Sequence, residues 1–123
     1  MKILIVEDEK VLAMVLEEKF KDEDFDTKVA ADGEEAMTFA ASFSPDIILL
    51  DLILPKKDGF EVLKELKSDP KLQDITVFVL SNLGEDDEIK RALSLGAKDY
   101  FVKVQHPVSE IVEKVKVYLL KAK

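Results

Sequence analysis

The sequence predicts a doubly wound α/β domain, a parallel five-stranded sheet with helices on both faces. Short apolar runs alternate with amphipathic segments of helical spacing, which gives five β-α units in 123 residues. The runs are continuously apolar rather than alternating, as strands are when both faces of a sheet are covered. Right-handed crossovers between parallel strands then distribute the helices over the two faces.

Each element follows in turn. Ile3–Val6 is an apolar run of β-compatible residues, and Val11, Leu12, Val15, Leu16 and Phe20 recur behind it at helical spacing. A short strand-like piece lies in Thr27–Ala31. Asp32 is an N-cap for a helix carrying Ala36, Phe39, Ala40 and Phe43. Ile47–Leu50 is the third strand. After the turn "PKKDG", Val62, Leu63 and Leu66 mark a helix that stops near Ser68-Asp69-Pro70. Ile75–Leu80 reads as a buried strand, and Ile89, Ala92 and Leu93 as a helix closed by Gly96. Tyr100–Val102 is the fifth strand, and Val108, Ile111, Val112, Val115 and Leu119 form the last helix. No linker, repeat or low-complexity segment interrupts the series, so one domain over 1–123 is expected.

Composition narrows the function classes. With 47% hydrophobic and 36% charged residues, the chain can bury a core and solvate its surface. The net charge of −8 repels phosphate backbones, so direct nucleic-acid binding is not expected. There is no cysteine, which excludes disulfides, thiolate metal sites and cysteine nucleophiles and is compatible with a reducing cytosol. No apolar run is long enough to span a bilayer, so no membrane insertion is expected. The opening "MKILIVEDEK" has only four apolar residues before three acids and does not read as a signal peptide.

In sheets of this type, sites form beyond the carboxyl ends of the strands. Strand one runs into Glu7-Asp8-Glu9, strand three ends at Asp51, strand four at Ser81-Asn82 and strand five at Lys103. Taken singly, each has an ordinary reading: a turn-forming aspartate, an acidic helix start suited to the macrodipole, a surface lysine. Converging on one rim, the carboxylates would repel each other, and a hard divalent cation such as Mg²⁺ removes that penalty. Asp8 and Asp51, with Glu7 beside them, are the candidate ligands. The set suits in-line attack by a carboxylate on a phosphoryl group, with Lys103 and the Ser81 hydroxyl neutralising the equatorial oxygens.

Four segments carry a resemblance. "ILIVEDE" resembles the first strand and acidic pair of the receiver domains of two-component response regulators, "DLILPKKDG" their D-x-x-x-P-x-x-D-G segment, "VLSN" their hydroxyl-bearing strand, and "GAKDYFVK" the strand with an aromatic and a lysine. The four occur in order on the right elements, over essentially the whole chain, which is similar to the single-domain chemotaxis regulators of that family. The resemblance implies a flavodoxin-like (βα)5 fold with strand order 2-1-3-4-5 and a cytoplasmic phosphoacceptor switch rather than an enzyme with turnover.

By the same resemblance, Asp51 is the phosphoacceptor. Glu7, Asp8, Asp51 and the Ile53 backbone carbonyl bind Mg²⁺, Ser81 and Lys103 grip the phosphoryl group, and Tyr100 is a switch aromatic that turns inward with Ser81. The implied donor is a histidine kinase or histidine phosphotransfer protein. The output goes to a downstream protein through the fourth helix, fifth strand and fifth helix, about Glu85 to Lys121, with a monomer or weak dimer through that face. Output by binding is expected because no effector domain follows Lys123, unless the chain is a piece of a larger protein.

The chain departs from the pattern at Lys103-Val104, where the family has a cis Lys-Pro bond. A cis bond before Val104 would cost roughly 3 kcal/mol, so a trans peptide and a re-routed loop to Pro107 are expected. Asn82 stands where a small residue is usual. The residues that tune dephosphorylation are Ile53 and Leu83, with Asn82 beside them. Neither Ile53 nor Leu83 can hydrogen-bond a water, so slow self-dephosphorylation is expected. His106, the only histidine, is expected to be solvated in its loop.

Two other classes compete. An aspartate-nucleophile phosphatase needs a second acid two residues after the nucleophile, where Ile53 stands. A flavodoxin-type binding module needs a hydroxyl- or glycine-rich loop after strand one, where "EDEK" is acidic.

Overall fold

In a computed structural model, which describes residues 1–121, five strands and five helices alternate. Ala122 and Lys123 of the expected domain, and the side chains of Leu120 and Lys121 on the expected response face, lie outside the described residues. The elements are β1 (Lys2–Val6), α1 (Lys10–Asp22), β2 (Asp26–Ala30), α2 (Gly33–Phe43), β3 (Ile47–Leu50), α3 (Gly59–Ser68), β4 (Thr76–Ser81), α4 (Asp86–Ser94), β5 (Asp99–Val102) and α5 (Val108–Lys121). All pairings are parallel, in the order β2-β1-β3-β4-β5. The expected architecture and strand order are therefore those of the molecule.

The period of two along each strand divides the apolar residues between two cores. Leu4 and Val6, Ile48 and Leu50, Val77 and Val79, and Tyr100 and Val102 face α2, α3 and α4, where Ala36, Val62, Leu66 and Ala92 meet them. Ile3 and Ile5, Ile47 and Leu49, Phe78 and Leu80, and Phe101 face Leu16 and Phe20 of α1 and Ile111, Val112 and Val115 of α5. Continuous apolar strands are thus the direct consequence of a two-sided core.

Helix boundaries follow capping chemistry. The Asp32 side chain accepts the Glu35 N–H (2.9 Å), as expected of an N-cap. Asp58 caps α3 in the same way through Glu61 N–H (3.0 Å), at the same D-x-x-E spacing. Gly96 follows α4 with φ +112°. Strand β4 starts and ends one residue later than expected, because Ser81 stays in the ladder, paired with Val102.

Candidate functional site: an acidic rim around Asp51

Strand register builds the site. Val6 pairs with Leu50, and Leu50 with Val79, so β1 and β3 end level while β4 runs two residues further, to Ser81. The ladder continues by one hydrogen bond past each end: Glu7 N–H donates to Ala30 O (2.9 Å), Asp51 N–H to Val6 O (3.0 Å) and Lys103 N–H to Ser81 O (2.9 Å). Three charged residues therefore leave the sheet from fixed backbone. Glu7 and Asp51 do so from β1 and β3, the neighbouring strands at the switch point where the connections diverge, and Lys103 does so from the edge strand β5.

Glu7 and Asp51 are both buried, unusual for acids without a partner. Their partner is Lys103, whose Nζ lies 2.8 Å from Glu7 Oε1 and 2.9 Å from Asp51 Oδ2. Asp51 Oδ1 also accepts the Ile53 N–H (3.2 Å). Close behind the acid, Gly59 packs against the backbone: its N–H donates to Leu52 O (2.8 Å), and a Cβ there would overlap Leu52 Cα and the Asp51 carbonyl. This contact fixes the loop that carries Ile53.

Asp8 completes the acidic set. Oxygens from Glu7, Asp8 and Asp51 lie within 4.8 Å of one another, close enough to share one cation. Three hard oxygen donors with one exposed side suit a hydrated divalent ion of the Mg²⁺ type. Burial is the largest influence on Glu7 and raises its carboxyl; Lys103 pulls it down, the Asp51 charge adds to the rise, and the result is a value of about 7. Burial works against the Lys103 ammonium, but contacts with Glu7, Glu9 and Asp51 together outweigh it and raise its proton affinity. A depression of about 220 Å³ opens over the set, lined by Asp8, Glu9, Asp51, Ile53, Asn82 and Lys103. A larger groove of about 480 Å³ lies near Pro45 and Leu72, before β3 and β4, and has no such convergence of carboxylates.

The remaining sequence-derived residues take distinct places. Ile53 is exposed at the lip of the depression, and Asn82 is exposed beside it. Leu83 is half-buried and packs on the α2–α4 side of the core. Ser81 is fully buried, and its Oγ accepts the Leu83 N–H (3.3 Å). Tyr100 is buried as well, its hydroxyl donating to the Leu83 carbonyl, and burial raises its phenol. No cis peptide occurs among the described residues, so Lys103-Val104 is trans, and Gln105 N–H turns the loop back onto Val102 O (2.9 Å). His106 is not solvated as expected. It is half-buried, with Nδ1 3.1 Å from Val102 O and its ring edge-on to Phe101. The sequence reading did not find Glu9, whose Oε2 lies 2.7 Å from Lys103 Nζ. The available signal was a count: three acids follow β1, and one lysine faces them.

A buried aspartate, an acidic cluster and a lysine thus meet at the carboxyl edge of a parallel α/β sheet. Known proteins share this fold. Residues 3–116 match the response regulator receiver domain family model. Sporulation initiation phosphotransferase F of Bacillus subtilis (strain 168) is 37% identical over 118 residues, 96% of this chain and 93% of that protein. The alkaline phosphatase synthesis transcriptional regulatory protein PhoP of the same organism is 38% identical over 120 residues, 96% of this chain and 48% of that protein. The chain spans less than half the length of several curated regulators that it matches.

Among solved structures, the receiver domain of Francisella response regulator 1452 superposes with a TM-score of 0.89 at 30% identity, covering 99% of this chain and 98% of that one. The phosphorylated cyanobacterial phytochrome response regulator RcpA gives 0.86 at 36% identity, covering 99% and 95%. The Mn²⁺-bound form of response regulator Rcp1 gives 0.77 at 37%, covering 83% and 80%. The chain belongs to the response regulator receiver domain family, the phosphoacceptor module of two-component signalling. Among the described residues, no helix is long and apolar enough to cross a membrane.

Proposed function

We propose that this domain is a phosphorylation-activated switch in which Asp51 takes a phosphoryl group from a phosphohistidine on a kinase or phosphotransfer partner. The observation that carries this reading is Asp51 itself: buried at the end of the central strand, 2.9 Å from Lys103 and clustered with Glu7 and Asp8. An Asp51 carboxylate oxygen attacks phosphorus, and the P–N bond breaks. Its electron pair returns to the donor imidazole, which leaves neutral when its other ring nitrogen carries a proton. Lys103 meets the charge of the transferring oxygens from a position already fixed by the ladder.

Glu7, Asp8 and Asp51, with the Ile53 carbonyl, would hold Mg²⁺. The bound ion supplies charge neutralisation at the transferring oxygens. Ser81 Oγ accepts the Leu83 N–H and keeps its own proton to donate to a phosphoryl oxygen, and Tyr100 holds the neighbouring Leu83 carbonyl. Transfer to Asp51 thereby couples to the segment leading into α4, and the face of α4, β5 and α5 is the surface that reports it to a downstream protein. The domain acts alone or as a weak dimer through that face, in the cytoplasm. Its product is long-lived, because Ile53 at the lip offers no group to orient a water.

The test is incubation with acetyl phosphate and Mg²⁺ followed by peptide mapping. One phosphoryl group on Asp51, dependent on Mg²⁺, is expected. Steady turnover of phosphomonoesters, or a copurifying flavin, would instead place the chain's activity in another class.

A further inference from the structure

An ammonium has three hydrogens to donate, and Lys103 has three carboxylates at 2.7–2.9 Å: Glu7, Glu9 and Asp51. Its donors are all taken. Two of the partners belong to the acidic cluster that would hold a cation, and Glu9 does not. Glu9 is also placed unusually. It occupies the N-cap position of α1, yet its side chain makes no capping bond, and the helix start is left without that contribution. Its carboxylate reaches across to Lys103, 94 residues away, while its own N–H donates to Glu7 Oε2 (3.1 Å). A lysine that is to hold a phosphoryl oxygen must release one carboxylate. Of its three partners, only Glu9 is neither a candidate ligand nor the acceptor itself.

We propose that Glu9 is a positioning residue that competes with the phosphoryl group for Lys103 and so sets how tightly the site holds its anion. The inference rests on Asp51 being the phosphoacceptor. The charge balance works in the same direction. Glu7, Asp8, Glu9 and Asp51 against Lys103 leave the rim strongly negative, which favours a cation and opposes an incoming phosphodonor. Removing the Glu9 charge therefore has opposite effects on the two ligands, weakening the cation and strengthening the anion. Loss of a merely structural residue would weaken both.

Titration calorimetry of the wild type, Glu9→Gln and Glu9→Asp tests this, first with Mg²⁺ alone and then with beryllofluoride in saturating Mg²⁺. Because Glu9 is more than half exposed, the expected change is modest: Glu9→Gln binds beryllofluoride about three- to fivefold tighter and Mg²⁺ about twofold more weakly. Glu9→Asp keeps the charge but cannot reach Lys103. It should tighten beryllofluoride while leaving Mg²⁺ affinity at the wild-type value. Glu9→Gln binding beryllofluoride no tighter than the wild type would overturn the proposal. So would tightening in Glu9→Gln with none in Glu9→Asp, which would make the effect one of overall charge and not of Lys103. A wild type that binds no beryllofluoride at all would instead overturn the Asp51 reading on which the proposal stands.

Discussion

Glu7 and Asp51 are two carboxylates that the sheet register forces side by side, and the protein meets the cost differently at each. Lys103 serves both, but burial still lifts the Glu7 carboxyl to about 7. A folded-state value above the ordinary 4.5 means that the folded protein keeps a proton that the unfolded chain has released. The stability tied to Glu7 is full below pH 4.5 and is lost as pH rises through 7. In a chelator, the melting temperature of the wild type relative to Glu7→Gln should fall between those pH values; parallel profiles would contradict this. Ile53 makes a second prediction at this scale. Replacing it by Asn, or Leu83 by Glu, should accelerate loss of the phosphoryl group after loading, followed by intact mass, and unchanged decay would count against slow dephosphorylation by lack of a water-orienting group. Asp51 and Lys103 stood out because each directly follows an apolar run, and Asp8 because it lies one residue beyond such a run. Glu9 was not, since its partner lies 94 residues away and no local pattern connects them. His106 escaped for a related reason: a loop that folds back on its own strand leaves no periodicity.

At the scale of elements, the start of α2 and the loop after β3 hold each other. Gly33 N–H points at Pro55 O (3.4 Å), Lys56 Nζ lies 3.5 Å from Asp32 Oδ2, and a Cβ on Gly33 would overlap the Lys57 carbonyl oxygen. Both groups are backbone, so neither can swing away. Gly33→Ala should destabilise by about 1–3 kcal/mol in urea unfolding, the usual cost of overpacking. Tyr100→Phe removes one donor to the Leu83 carbonyl and should cost about 1 kcal/mol by the same measurement. The strands were legible as continuous apolar runs and the helices as 3.6-residue periods. The end of β4 was less so, because Ser81 breaks the apolar run while remaining in the ladder. The packing of the Asp32 loop on the Pro55 loop had no sequence signal beyond Gly33 itself.

Across the whole molecule, two half-cores lie on either side of one sheet, and Glu7, Asp8, Asp51 and Lys103 gather at one edge of it. A ligand that binds only the folded state stabilises it by mass action, about 2.7 kcal/mol at a hundredfold excess over Kd. Mg²⁺ should therefore raise the melting temperature of the wild type and raise that of Asp8→Asn much less. The order of the strands came from resemblance, since hydrophobic pattern alone does not say which strand lies beside which. The central claim is that Asp51 is the one acceptor, and intact-mass spectrometry of the wild type and Asp51→Asn after incubation with a phosphodonor and Mg²⁺ tests it most directly. A single added phosphoryl group on the wild type and none on Asp51→Asn is the predicted result; equal labelling of the two proteins would contradict it.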